Sequence, residues 1–136
     1  MSLPDAHLRR LGWVLLLTAI SSVLHCVDNL LFFDDYPEPP WINRSIIDAF
    51  WFVMTPLAAA GWLAIKRGHP DSGLLLRLGY AVCNLLSLGH YLYAPLHMIC
   101  ARIHAFIVLE ALFAVVLIFT LVHMAIALHH ARYESA

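Results

Sequence analysis

Charged side chains are scarce in this sequence: they make up 12% of its 136 residues, whereas hydrophobic residues make up 62%. Such a composition cannot cover the surface of a soluble domain, so we expect an integral membrane protein in a lipid bilayer. The formal net charge of −1 offers no basic field for nucleic acid, which excludes nucleic-acid binding as a function. One domain of about four spans fits the length.

Sequence motifs for disulfides, metals and nucleophiles are also missing. The three cysteines have no CxxC spacing and their number is odd, so we expect buried, inert thiols rather than a disulfide framework. No HExxH or ExxH occurs, and the di-metal signature of helical bundles is therefore absent. No G-x-S-x-G occurs either, which gives nucleophilic catalysis little support.

Four apolar stretches, bounded by charge, Pro or Gly, predict membrane-spanning helices over residues 11–33, 45–65, 74–93 and 101–128. The fold class is therefore all-α, an integral membrane four-helix bundle. Six basic residues fall at one set of helix ends and two at the other: Arg9, Arg10, Lys66, Arg67, Arg77 and Arg132, against Arg44 and Arg102. By the positive-inside rule both termini are expected in the cytoplasm, and we expect a bacterial inner membrane.

The chain is organised around residues 25–48, where ionisable side chains lie inside apolar helices. A buried Asp costs roughly 2.5–3.5 kcal/mol at the centre of a span, so Asp28 requires a partner or water. His25 and Asp28 are three residues apart and lie on one helix face. They could act as an acid/base or metal-ligand pair, or as a structural hydrogen bond that neutralises both groups.

Helical periodicity gathers these polar residues into one layer in the outer half of the bundle. We take Asp48, His25 and Asp28 as candidate catalytic residues, and Asp48 is the leading one because it begins an inward stripe on the second helix. Six further residues on the polar stripes, or deeper in the same layer, are candidates for ligand binding: Trp51, Thr55, Asn29, Asn84, Tyr91 and Glu110.

Two alternatives stay open at this point. One is an intramembrane metal or haem centre on four histidines of the outer layer: His25, His90, His97 and His104. The other is an accessory subunit whose polar stripe contacts a partner membrane protein or a second copy of the chain. The residues identify no cofactor.

The run Glu38-Pro39-Pro40-Trp41, followed by a helix with Asp48 about two turns in, resembles the second helix of the EXPERA family, which includes emopamil-binding sterol isomerases and the sigma-two receptor. His25 followed by Asp34 is similar to the first helix of that family. The resemblance covers about a third of the chain. It implies four helices around a cavity for a hydrophobic, often cationic or sterol-like ligand, with Asp48 and either Asp34 or Asp28 as the acidic pair.

The leading hypothesis is therefore a small multi-pass membrane protein that holds a hydrophobic small molecule or lipid in an outer-half polar cavity. If the protein is an enzyme, buried carboxylates suit proton transfer to and from a double bond, as in an isomerase.

Overall fold

The computed structural model describes residues 5–134, which form four α-helices: α1 (Asp5–Leu31), α2 (Arg44–Lys66), α3 (Pro70–Leu85) and α4 (Ala101–Tyr133). A tighter 3-10 helix, Leu86–Leu92, continues α3, and the described residues contain no strand. With that continuation counted, all four helices are long and apolar enough to cross a membrane. The prediction of an all-α fold with four helices that can span a membrane is confirmed. The length and composition of these helices are those of an integral membrane protein.

Four helix ends differ from the predicted spans by four or more residues, and one of them is the end of α4, at Tyr133 instead of residue 128. Helix α1 already includes Asp5, the first described residue, and so extends before residue 11, because arginine supports a helix as well as leucine does. Helix α3 begins at Pro70, since proline suits the first position of a helix. Its α-helical geometry ends at Leu85, so the predicted third span is partly a 3-10 segment.

Ion pairs define the two ends of the bundle. At the termini end, Arg132 of α4 bonds to Asp71 of α3, with 2.7 Å between nitrogen and oxygen. At the opposite end, which we call the loop end, Arg102 of α4 bonds to Asp28 of α1 at 2.8 Å. Helix α2 packs closely against α3, and α4 against α1 and α3, whereas α1 and α2 are joined more loosely. The loose pair leaves room for a cavity.

The interior changes character along the bundle. Towards the termini end it is an apolar core of leucine, alanine and methionine side chains from all four helices. Towards the loop end, α1 and α3 turn polar side chains inward, and these are 0–9% exposed: Thr18, Ser21, His25, Asp28, Tyr80, Asn84 and Ser87. The inward orientation of these polar stripes is confirmed for α1 and α3.

The position of Arg77 changes the count of basic residues at the helix ends. The sequence analysis assigned it to a helix end, but the structure places it eight residues into α3 and fully buried, at 0% exposure. Five basic residues then remain at the termini end and two at the loop end, so the termini end still has the excess of basic residues.

Two glycines allow α2 and α3 to cross at short range beside this arginine. A Cβ atom added to Gly61 would lie 2.7 Å from Cγ of Arg77 and 2.8 Å from the carbonyl oxygen of Gly73. Small residues at helix crossings are how membrane helices approach closely, because packing rather than hydrophobicity drives their association.

We expect Gly61→Ala to destabilise the bundle by about 1–3 kcal/mol, because backbone and side chain both block the added methyl group. Thermal unfolding in detergent measures the effect. Gly79→Ala is the matched control on α3, where the added Cβ meets only Leu57 at 3.8 Å, and its stability should be unchanged or slightly higher. Equal stabilities of the two variants would contradict this view of the α2/α3 crossing.

Candidate functional site

A cavity of about 440 Å³ lies at the loop end between α1, α2 and the 3-10 continuation of α3. Its walls are mainly apolar, and its rim includes exposed side chains of α2 and the 3-10 segment: Ile46, Phe50, Leu86 and Leu92. The cavity is therefore reached from the apolar surface of the bundle. Its volume lies within the range of about 300–1,000 Å³ that is typical of small-molecule sites.

The floor of the cavity is a histidine–glutamate pair. Nδ1 of His25 on α1 is hydrogen-bonded to Oε2 of Glu110 on α4, and both side chains are buried. When the Glu110 carboxylate is ionised it can only accept, so Nδ1 then donates to it, and Nε2 is the ring nitrogen that can take up or release a proton. No other group among the described residues bonds to Nε2. The pair is thus a carboxylate that orients an imidazole, the arrangement that general bases use.

Four side chains that line the cavity have buried polar atoms without a hydrogen-bond partner in the described part of the chain: Ser22 Oγ, His25 Nε2, Asn29 Oδ1 and Trp51 Nε1. Buried polar atoms are nearly always paired with protein or water, because an unpaired one costs about 1–3 kcal/mol. Donors and acceptors are both present in this set. The cavity is therefore equipped to receive polar groups within an apolar enclosure.

The loop between α1 and α2 closes one side of the cavity through Glu38. Its Oε1 accepts a hydrogen bond of 2.9 Å from Nδ2 of Asn29 and lies 3.5 Å from Nδ1 of His90. Burial raises the pKa of the Glu38 carboxyl, and the hydrogen bond from Asn29 opposes that rise. The rings of His25, His90 and Tyr36 stand next to each other, with centroids 5.2–5.7 Å apart. A second ionisable group, Glu38, thus lines the cavity together with His25.

Asp28 is an anchor for this loop. Its carboxylate accepts a hydrogen bond of 2.7 Å from the hydroxyl of Tyr36 and one of 2.8 Å from Arg102. Arg102 also bonds to Asp35 at 3.0 Å, so it joins α4 to α1 and to the loop. Burial, with the hydrogen bond to Asp28 next, raises the pKa of Tyr36. The partners that offset the buried charge of Asp28 are therefore Arg102 and Tyr36, while His25 bonds to Glu110.

The structure brings together only part of the predicted site. His25, Asn29, Trp51 and Glu110 all line the cavity. Four other candidates do not line it: Asp28, Thr55, Asn84 and Tyr91. Of these, Thr55 and Asn84 still carry unpartnered buried oxygens in the described part of the bundle.

Asp48, the leading candidate of the sequence analysis, is exposed and lies outside the lining of the cavity. It forms no hydrogen bond or ion pair within residues 5–134. The next residues of its stripe, Trp51 and Thr55, are half-buried, so α2 is rotated enough to leave Asp48 outside the bundle. A role for Asp48 in a site stays a prediction.

The four histidines of the metal or haem alternative do not converge. His25 and His90 have ring centroids 5.5 Å apart, but His97 is exposed. Both ring nitrogens of His104 are engaged, since Nδ1 accepts from Tyr91 at 3.0 Å and Nε2 donates to the carbonyl of Leu96 at 2.9 Å. Among residues 5–134, no group of three or more His, Cys, Asp or Glu side chains is placed to hold a metal ion.

Sequence reasoning did not select Glu38, Ser22 or Tyr36 as site residues. Ser22 could have been found, because it is next to Ser21 and three residues before His25 on the inward face of α1. Glu38 and Tyr36 lie in a loop that has no helical period, so only its folding over the cavity shows their contacts.

We expect Asp28→Asn to lower the free energy of unfolding by about 1.5–3 kcal/mol, because it removes a charged acceptor from two hydrogen bonds. Asp48→Asn makes the same chemical change at an exposed position and should stay within about 0.5 kcal/mol of the parent protein. Denaturation of both variants in one detergent compares them directly. A larger loss for Asp48→Asn would contradict the assignment of Asp28 as the anchor.

Comparison with protein-family models, curated proteins and solved structures finds no match for this chain. The resemblance to the EXPERA family therefore stays a prediction, and the geometry of the cavity carries the functional argument.

Proposed function

We propose that the protein binds a hydrophobic small molecule or lipid in the loop-end cavity. The observation that carries the proposal is the set of unpartnered polar atoms, on Ser22, His25, Asn29 and Trp51, inside a mainly apolar cavity. An apolar wall gives affinity for a hydrophobic body, and a few convergent polar atoms orient it. The exposed apolar rim supports uptake of the ligand from the bilayer rather than from water.

The polar atoms also indicate what the ligand carries. The indole of Trp51 can only donate, Asn29 Oδ1 can only accept, and Nε2 of neutral His25 accepts. A hydroxyl group, which donates and accepts, would satisfy atoms of both kinds. We therefore propose an apolar ligand with a hydroxyl group, or with a carbonyl that becomes one on protonation.

Acid/base chemistry on that ligand is the finer part of the proposal. His25, oriented by Glu110, would take a proton, and Glu38, whose raised pKa favours the protonated acid, would supply one. One base and one acid that line the same cavity suit the shift of a double bond, in which one carbon loses a proton and another gains one. This is the isomerase-type reaction that the EXPERA resemblance implies.

We further propose that the termini lie in the cytoplasm of a bacterial cell, with the loop end and its cavity in the outer half of the inner membrane. The support is the excess of basic residues at the termini end, since short basic loops stay on the cytoplasmic side.

Filling the cavity tests the binding proposal. A Cβ atom added to Gly89 meets no atom within 4 Å, and Gly89 lines the cavity, so Gly89→Trp should fold and occupy the ligand's place. Native mass spectrometry of protein purified from membranes should show an apolar molecule on the parent chain and its loss from this variant. Leu88→Trp is the control. Leu88 is the residue next to Gly89, its side chain is exposed, and it does not line the cavity. Equal retention by both variants would contradict binding in this cavity.

Hydrogen exchange tests the chemistry separately. The parent protein with its co-purified molecule, incubated in D₂O, should place deuterium on carbon of that molecule. Removal of the base in His25→Gln should slow the incorporation by about 10²–10⁴-fold, the usual contribution of a general base. His97→Gln makes the same chemical change at an exposed position outside the cavity and should keep the rate of incorporation. A retained molecule that never takes up deuterium would support binding and reject the isomerase-type reaction.

A further inference from the structure

Arg77 is the largest fully buried side chain of the bundle, and it lies in the half opposite the cavity. None of its three guanidinium nitrogens has a hydrogen-bond partner in the described part of the chain. Arg77 takes part in no ion pair within residues 5–134. A guanidinium keeps its proton in proteins, so this charge persists in the apolar core of a membrane bundle.

A second cation approaches the same place. The guanidinium carbon of Arg77 lies 4.9 Å from the ring centroid of Trp62, and Nζ of Lys66 lies 5.6 Å from it. Lys66 likewise forms no ion pair with any described residue. The indole face attracts each cation, but it cannot remove the repulsion between them. The buried charge of Arg77 is therefore uncompensated and has a second cation as its neighbour, and an anion from outside the chain would offset both charges.

The surroundings narrow the chemistry of that anion. Trp62 is half-buried and lies against Gly12 of α1, at the side where α1 and α2 are loosely joined. The termini end also carries Arg9, Arg10 and Arg67 as exposed side chains. One arginine side chain can donate two parallel hydrogen bonds to a phosphate group. Basic pockets between membrane helices bind the headgroups of anionic lipids. Arg77 itself is fully buried, so a phosphate would reach it from the side of the half-buried Trp62 and the exposed Lys66.

We propose that Arg77 and Lys66, which both lie beside the ring of Trp62, form a site for a phosphate group, supplied by an anionic phospholipid of the leaflet at the termini end. The site is separate from the loop-end cavity and does not depend on what that cavity binds.

The test compares phosphatidylcholine vesicles with equimolar vesicles of phosphatidylcholine and phosphatidylglycerol, and uses native mass spectrometry to measure which lipid the protein retains. The parent chain should prefer phosphatidylglycerol. Arg77→Gln should reduce that preference by at least roughly tenfold, and Lys66→Gln by a smaller factor, as expected for the loss of charge-assisted hydrogen bonds. Arg10→Gln removes an exposed charge from the same end, away from Trp62, and should keep the preference.

Each variant is compared with itself in the two lipids, so a lower stability of Arg77→Gln does not obscure the result. Lys66 is exposed at the end of α2, and its variant should fold even where Arg77→Gln does not. A further arm replaces chloride by inorganic phosphate at constant ionic strength in phosphatidylcholine alone. A rise in melting temperature that needs Arg77 would support the same site with a soluble source of phosphate. An unchanged lipid preference in both Arg77→Gln and Lys66→Gln would overturn the proposal.

Discussion

Lipid offers no partner to a charged side chain, and this constraint organises the bundle. Two buried ionisable groups at the loop end are compensated by residues from other parts of the chain. Asp28 is compensated by Arg102 and Tyr36, and His25 by Glu110. These bonds tie α1 to α4 and to the loop that follows α1. The pairing that makes buried charge tolerable is thus also what positions the walls of the cavity.

The pairs of neighbouring helices differ in how closely they pack. Glycines let α2 and α3 approach closely, and side chains of all four helices, most of them from α3 and α4, form the apolar core at the termini end. The α1/α2 contact is the loose one, and both proposed sites lie beside it. A bundle that packed all four helices with equal closeness would leave no room for a ligand. Tight pairs elsewhere allow this one side to stay open without loss of the fold.

Two groups of unpartnered polar atoms occur in the described structure. One lines the cavity, on Ser22, His25, Asn29 and Trp51, and the other is the guanidinium of Arg77; single unpartnered atoms also occur outside both groups, on His7, Thr55 and Asn84. Each such atom opposes folding, because burial removes its water without replacing it. The location of the two groups, next to a cavity and next to a second cation, gives them a reason in binding that packing does not provide. The two sites differ in sign: the cavity contains carboxylates, whereas Arg77 and Lys66 are both cations.

Local pattern was sufficient for much of this protein. Composition and the length of the apolar runs determined the membrane class and the four helices, because a spanning helix satisfies its backbone within a single stretch of chain. Periodicity also determined the inward face of α1 and α3, since residues three and four apart share a helix face. His25, Asn29 and Glu110 were found in this way, as polar residues where lipid excludes them.

Only the tertiary structure decided which side chains bond to each other and which are buried. His25 has Asp28 three residues away, yet it bonds to Glu110, 85 residues further along the chain. The sequence pattern predicted that Asp48 faces inward, but it is exposed. The pattern also predicted that Arg77 lies at a helix end, but it is buried. Glu38 reaches the cavity only because its loop folds across it. A helical period states which residues share a face, but the rotation of each helix and the path of a loop depend on contacts between distant parts of the chain.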